Sequence, residues 1–151
     1  MSNEIIPDPL PSLGRLLYIA NRAVADQAEA RIASHDLTLT QWITLTALWR
    51  QDGMTNNGLA EYSEVTPAAL SKTLGRMEKK GLVKREMDST DRRVQRVFLT
   101  PKSKKLEPLI SFYSETNELI LAEFGTQEKE LLFNMLNRII DRAGSLEIDT
   151  A

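Results

Sequence analysis

The run from Thr55 to Thr100 constrains the fold of this chain more than any bulk property, because helix and strand signals succeed one another there almost without spacer. Thr55 can cap a short helix over "NNGLAEYS". Its Asn-Asn-Gly start is a poor helix former, so tertiary packing must hold it. Thr66 followed by Pro67 is an N-cap with proline at the first helical position. In "AALSKTLGRMEKKG", Leu70, Leu74 and Met77 share one face and Gly81 terminates. Two helices separated by a short turn, the second carrying Ser, Lys and Arg opposite its apolar stripe, make a helix-turn-helix pattern. Many helical hairpins share that pattern, but the segment after Gly81 narrows it. "LVKRE" and "VQRVFLT" are β-rich runs with charge on alternate positions, joined by "MDSTDRR". A two-stranded hairpin directly after such a helix is a wing.

The flanks read as helices. Pro7, Pro9 and Pro11 make residues 1–11 an extended arm, and Ser12 can cap a helix after it. Leu13, Leu16, Leu17, Ala20, Val24 and Ala28 recur at helical spacing and predict a helix to about Ser34, broken at His35-Asp36. Thr40 is the N-cap candidate for "QWITLTALWRQ", with Trp42, Leu45, Leu48 and Trp49 on one face and Gly53 near its end. After Thr100-Pro101 one long helix is expected, with Leu106, Leu109, Ile110, Tyr113, Ile120, Leu121 and Phe124 as its seam, a kink at Pro108 and a break at Gly125. Thr126 should cap a last helix striped by Leu131, Leu132, Met135, Leu136, Ile139 and Ile140, before a frayed tail "GSLEIDTA". These terminal stripes exceed what a winged core can cover. A two-fold dimer built from both termini is the economical solution, an intrachain bundle the alternative. The expected class is mainly α with a small β-hairpin wing. Residues 1–36 form an arm and dimerisation helix, 37–100 a winged helix-turn-helix, and 101–151 C-terminal dimerisation helices.

Charge sharpens the functional reading. The net charge of −2 hides an asymmetry: residues 71–105 carry 12 Lys/Arg and 4 Asp/Glu. A basic middle between acidic ends is an electrostatic footprint for a polyanion, or else a solvated face. There are no cysteines, which excludes disulfides, thiolate metal sites and thiol redox sensing, and the single histidine, His35, argues against a His-rich zinc site. No Gly-rich phosphate loop or Ser/His/Asp set is present, so no enzyme and no cofactor are expected. No apolar run is long enough to span a bilayer, and no basic region followed by an apolar one opens the chain. A cytoplasmic location follows by default.

Within this frame the loop arginines have a use. A wing tip beside a helix lying in the major groove can place an arginine in the adjacent minor groove, where negative potential concentrates as the groove narrows. Asp91, two residues before Arg93, can brace the guanidinium in a fixed pose. The bland reading is an exposed turn with a weak ion pair.

From Leu39 to Lys104 the chain resembles the MarR family of bacterial transcription regulators: "LTQWITLTAL", then "GLAEYSEVTPAALSKTLGRMEKKGLVKRE", then "DSTDRRVQRVFLTPKSKK". Met77 stands where the family pattern has leucine, and Lys72 takes its basic position. The resemblance implies a winged-helix homodimer that binds a pseudo-palindromic operator, usually represses, and is released by a small phenolic or aromatic carboxylate ligand. Carried over by motif, Pro67, Ala68, Ala69, Ser71, Lys72 and Arg76 occupy groove-facing positions. Thr66 is the cap, Arg93 the minor-groove candidate, Asp91 its brace and Arg92 a phosphate contact. Lys84, Arg85 and Arg96 are secondary phosphate candidates. Pro67, Ala68 and Ala69 cannot make bidentate base pairs, so shape and the wing should supply much of the specificity. Arg15, Tyr18, Arg22, His35 and Trp42 are candidates for an effector pocket, an arginine near aromatics being suited to a carboxylate. Other readings are a constitutive or architectural DNA binder without an effector, and a winged helix that binds only protein.

Overall fold

The computed structural model describes residues 12–147; the proline-rich arm and the end of the tail lie outside the described residues. The chain divides into two compact units, with the boundary between Tyr113 and Ser114.

In the first unit, helix α1 spans Leu13–Ile32, with the Ser12 hydroxyl accepting from the Arg15 amide at 3.3 Å. It runs into a 3-10 turn, Ala33–His35, and stops at Asp36, whose φ of 56° is left-handed. Aspartate tolerates that conformation better than most residues. Helix α2 is Leu39–Arg50, and its cap is Thr38, not Thr40. Thr38 wins because Gln41 lies three residues on: the Gln41 backbone amide donates to the Thr38 hydroxyl and the Thr38 backbone amide to the Gln41 side-chain oxygen Oε1, each at 3.2 Å. Helix α2 is also buried on more than the one face expected, since Gln41, Thr44 and Thr46 join Trp42, Leu45 and Leu48 inside. The two threonines stay satisfied by donating to carbonyls one turn back, Thr44 to Thr40 at 2.9 Å and Thr46 to Trp42 at 3.0 Å.

A two-residue strand β1, Met54–Thr55, comes next, for which the sequence carries no strand signal. Helix α3 is Asn56–Tyr62, capped by Thr55, and α4 is Pro67–Lys79, capped by Thr66. Both end in the same hydrogen-bonded motif. After α3, the amides of Glu64 and Val65 donate back to Glu61 and Ala60; after α4, those of Gly81 and Leu82 donate to Glu78 and Met77. The pivot residues are Glu64 at φ 51° and Gly81 at φ 69°. Strands β2, Val83–Met87, and β3, Gln95–Leu99, pair antiparallel, and β3 also pairs with β1, giving the order β1-β3-β2. Leu70, Leu74 and Met77 of α4 are fully buried together with Leu45, Leu59 and Val97, so the recognition-type helix is seated on a common core. The expected long helix is broken. Helix α5 is only Pro101–Lys104, a 3-10 stretch covers Glu107–Ser111, and α6 is Phe112–Ile120. Pro108 lacks an N–H and its ring clashes with the carbonyl one turn back, so it interrupts the helix rather than kinking it.

In the second unit, α7 spans Thr126–Ser145. Its cap is Gly125, not Thr126, and the Glu128 carboxylate accepts from the Gly125 amide at 2.7 Å. Lys129 of α7 pairs with Glu118 of α6 at 3.2 Å. Helix α7 contains no buried residue: Leu131, Met135 and Ile140 are 59%, 49% and 66% exposed. Among the described residues no helix is long and apolar enough to cross a membrane.

Candidate nucleic-acid interface

Helix α4 turns one face outward because its large apolar residues, Leu70, Leu74 and Met77, are all taken by the core. Thr66, Pro67, Ala68, Ala69, Ser71, Lys72 and Arg76 are each exposed. The Thr66 hydroxyl accepts from the Ala69 amide at 3.2 Å, so the first turn is closed by its own cap and Pro67 fixes its entry. Every residue that the motif assigns to this helix face is therefore available to a ligand.

The wing is stitched more thoroughly than a simple hairpin. Asp88 and Val94 close its tip, the Asp88 amide donating to the Val94 carbonyl at 2.8 Å. The buried Asp88 carboxylate then organises the turn. It accepts from the Thr90 amide at 2.8 Å, the Thr90 hydroxyl at 2.6 Å, the Asp91 amide at 3.0 Å and the Arg96 guanidinium. The Thr90 hydroxyl, then Arg96 and the two amides, hold the Asp88 carboxyl well below the usual carboxylate range. Arg96 also donates to the Gly53 carbonyl at 2.9 Å, and Asp52 accepts from the Leu99 amide at 2.8 Å. The loop after α2 is thereby fastened to β3.

On this base Asp91 meets Arg93 as expected. The Arg93 Nε is 3.2 Å from one Asp91 oxygen and Nη2 is 3.4 Å from the other, while the Arg93 amide donates to Asp91 at 3.0 Å. The guanidinium next to Asp91 lowers that carboxyl's pKa as well. The Arg93 side chain is nonetheless 91% exposed. It is a cation aimed outward and oriented from behind, the arrangement that inserts a guanidinium into a groove at small ordering cost. Beside it lies a cleft of about 270 Å³ lined by Thr55, Asn56, Asn57, Arg93, Val94 and Gln95, where the start of α3 meets the returning strand of the wing. Arg92 is exposed at the tip.

The secondary phosphate candidates separate. Lys84 is exposed and pairs with Glu86 at 2.8 Å, which raises its pKa. Arg85 binds Glu78 of α4 at 2.6 Å, tying β2 to that helix; the bond raises the arginine's pKa and lowers the glutamate's. Arg85 and Arg96 are thus each engaged by a carboxylate of the same chain. Sequence reasoning misses the role of Asp88 and Arg96, although Asp88 ahead of Ser89-Thr90 is a turn signal in which a carboxylate takes the following amides.

The candidate effector residues do not form one cluster by sequence element or burial. Arg15, Tyr18 and Arg22 stand exposed on α1, His35 is exposed in the 3-10 turn, and Trp42 is buried in the core. The Trp42 indole donates to the Leu109 carbonyl at 2.7 Å and packs against Phe112 and Tyr113 at ring distances of 5.4 and 4.8 Å. That gives Trp42 a structural role in joining α2 to the segment before α6.

Helices α3 and α4 set on a three-stranded sheet, with an arginine-tipped hairpin between β2 and β3, define a winged helix-turn-helix protein of the DNA-binding kind. Residues 37–94 match the model of the MarR family. Transcriptional regulator HosA of Escherichia coli is 32% identical over 107 residues, covering 70% of this chain and 79% of that protein. A MarR protein from Peptoclostridium difficile DA00132 superposes with a TM-score of 0.83 at 21% identity, over 95% of each chain. The Staphylococcus aureus MepR–DNA complex gives 0.79 at 25% identity, over 87% of this chain and 98% of that one. The chain belongs to the MarR family: it is a DNA-binding transcriptional regulator, not an enzyme.

Proposed function

We propose that the protein is a cytoplasmic homodimeric repressor that holds a pseudo-palindromic operator and is released by a small aromatic or phenolic ligand. The observation that carries the DNA half of this reading is Arg93, almost fully exposed and braced through both Asp91 oxygens at the tip of a wing fastened by Asp88 and Arg96. Residues 37–100 are the DNA-binding part. Thr66, Pro67, Ala68, Ala69, Ser71, Lys72 and Arg76 meet the major groove and its phosphates, Arg93 enters the minor groove with Asp91 behind it, and Arg92 meets a phosphate. Residues 1–36 and 101–151 are the dimerising parts. Support comes from the exposed apolar side chains of α1, where Leu13, Leu16 and Tyr18 are 55%, 55% and 63% exposed, and from the unburied stripe of α7. A second copy covering both would remove that surface from water. A two-fold dimer then reads two half-sites about one helical turn apart, near 34–36 Å.

For the ligand, Arg15 and Arg22 with Tyr18 on α1, and His35 at its end, offer cations and a phenol for an aromatic carboxylate. Trp42 would be reached only if its packing against Phe112 and Tyr113 opened.

The test is enrichment of duplexes from a random pool by the purified protein, followed by titration of the enriched duplex with benzoate and its hydroxylated derivatives. Tight, salt-steep binding to a two-fold symmetric sequence, weakened by one of these acids, supports the whole proposal. Binding indifferent to every acid leaves a constitutive DNA binder and removes the ligand from it. Enrichment of no sequence overturns the operator reading.

A further inference from the structure

Lys80 belongs to the basic stretch of residues 71–105. Its ammonium is engaged by the corner between α1 and α2. Nζ donates to the Asp36 carbonyl at 2.7 Å and lies 3.3 Å from the Asp36 carboxylate and 3.5 Å from the Gln41 amide oxygen. These three oxygens come from the corner between α1 and α2: Asp36 is the left-handed residue that ends the α1 segment, and Gln41 is the buried partner in the α2 cap. Lys80 itself is the C-cap of α4. The same end of α4 is held from the other direction. Lys102 donates to the Lys80 carbonyl at 2.8 Å, and the Thr100 hydroxyl to the Gly81 carbonyl at 2.6 Å.

We infer that Lys80 is a positioning residue for DNA recognition: a strut between the α1–α2 corner and the C-terminus of α4 that fixes the pitch of α4 in the groove. The inference rests on the operator reading. Three physical points carry it. A compact ammonium with three donors suits a cradle of three oxygens, whereas a phosphate contact requires those donors to be free. A cation at a helix C-terminus also suits the partial negative charge there, so the strut and the helix end reinforce each other. And besides its buried face, the side-chain ties that hold α4 to its surroundings gather at its C-terminal end, where Arg85 binds Glu78 and Lys80 reaches the α1–α2 corner, so its tilt is set there. The corner that receives Lys80 terminates α1, so a shift of α1 would reach the groove-reading helix through this contact.

The distinction is measurable because the two roles differ in salt dependence. A lysine on a phosphate contributes about 0.9 to the log–log salt slope, and its loss weakens specific and non-specific binding alike. A strut contributes nothing to the slope and affects only binding that depends on register. The probe is the duplex that wild-type protein enriches from a random pool, with a scrambled duplex beside it, over a KCl series. For K80M we expect about a 2- to 30-fold loss of affinity for the enriched duplex. We expect no change on the scrambled duplex and no change of slope. K80M keeps the aliphatic stem of a side chain that is one-third exposed, and circular dichroism checks that it folds. If it does not fold, Asp36→Asn serves, since asparagine tolerates the left-handed conformation and only the carboxylate is lost. The strut predicts a smaller loss on the enriched duplex alone, whereas a phosphate-bound Lys80 freed from a nearby anion would bind both duplexes more tightly. Equal losses on both duplexes with a shallower slope, or unchanged affinity on both, overturn the inference. Failure of the wild type to enrich any duplex overturns the operator reading and this inference with it.

Discussion

Replacing Arg93 by alanine separates the work of the wing from the stability of the fold. The side chain is 91% exposed, and its ion pair with Asp91 is an exposed loop contact. Exposed pairs of this kind contribute almost nothing to folding, so the melting temperature should barely move. The wing itself should persist, because Asp88, Thr90 and Arg96 hold it without Arg93. Affinity should respond strongly. One specific arginine contact with DNA is worth about 1–3 kcal/mol, or roughly 5- to 150-fold for each wing. On the proposed two-fold operator, read by two wings, the losses multiply, and the log–log salt slope should fall by about 1 per wing if the cation neutralises groove potential. The assay is fluorescence anisotropy of a labelled enriched duplex over a KCl series, with circular dichroism melting of the same preparations. Arg93→Lys should restore the slope more than the affinity, because an ammonium supplies charge without the planar fork. Asp91→Asn should cost less than the alanine, since it loosens the pose and leaves the cation. A folded R93A protein with unchanged affinity and slope would refute the wing mechanism and place recognition on α4 alone.

Gly53 has φ +76°, and a Cβ there would lie 2.8 Å from Cε1 of Phe98. Gly53→Ala should therefore destabilise by about 1–3 kcal/mol, lowering the melting temperature by roughly 2–4 °C per kcal/mol; an unmoved transition would refute the strain. Glu64 occupies the left-handed pivot after α3 at φ 51°, so Glu64→Gly should stabilise by about 0.5–1 kcal/mol in urea unfolding, and a less stable variant would contradict this. The depressed pKa of Asp88 gives a pH dependence of definite sign. Its contribution is present above the unfolded carboxylate value near 3.9 and is lost as pH falls through that value toward the lower folded one. Asp88→Asn should flatten stability against pH in the acid range below about 4 and leave the neutral-pH curve parallel; an unchanged acid limb would count against the hydrogen-bonded carboxylate. Ile140→Glu places a charge on the exposed stripe of α7, and light scattering should then show monomer in place of the proposed wild-type dimer; a wild type that is already monomeric would remove the basis of the two-half-site reading.

Local chemistry makes much of this legible. Thr66-Pro67, Gly81 and the stripe of Leu70, Leu74 and Met77 specify α4 almost residue by residue, because capping, proline geometry and helical periodicity all act within a few positions. The Asp91–Arg93 brace is readable for the same reason: its partners are two residues apart. Where two local signals compete, the sequence misleads. Thr38 and Thr40 are both plausible caps, and only Gln41 folding back decides between them. Thr126 loses to Gly125 because Glu128 reaches the Gly125 amide. Pro108 reads as a kink and proves a break.

What the sequence determines by itself is therefore the order of elements and the cations offered at the wing and on α4. What only the tertiary structure decides is which of those cations are free. Lys80, Arg85 and Arg96 look like Lys72, Arg76 and Arg93 in composition, but their partners Asp36, Glu78 and Asp88 lie 44, 7 and 8 residues away. A hydrogen bond depends on distances of a few ångströms in space, and only the folded chain sets those for residues brought together from different elements.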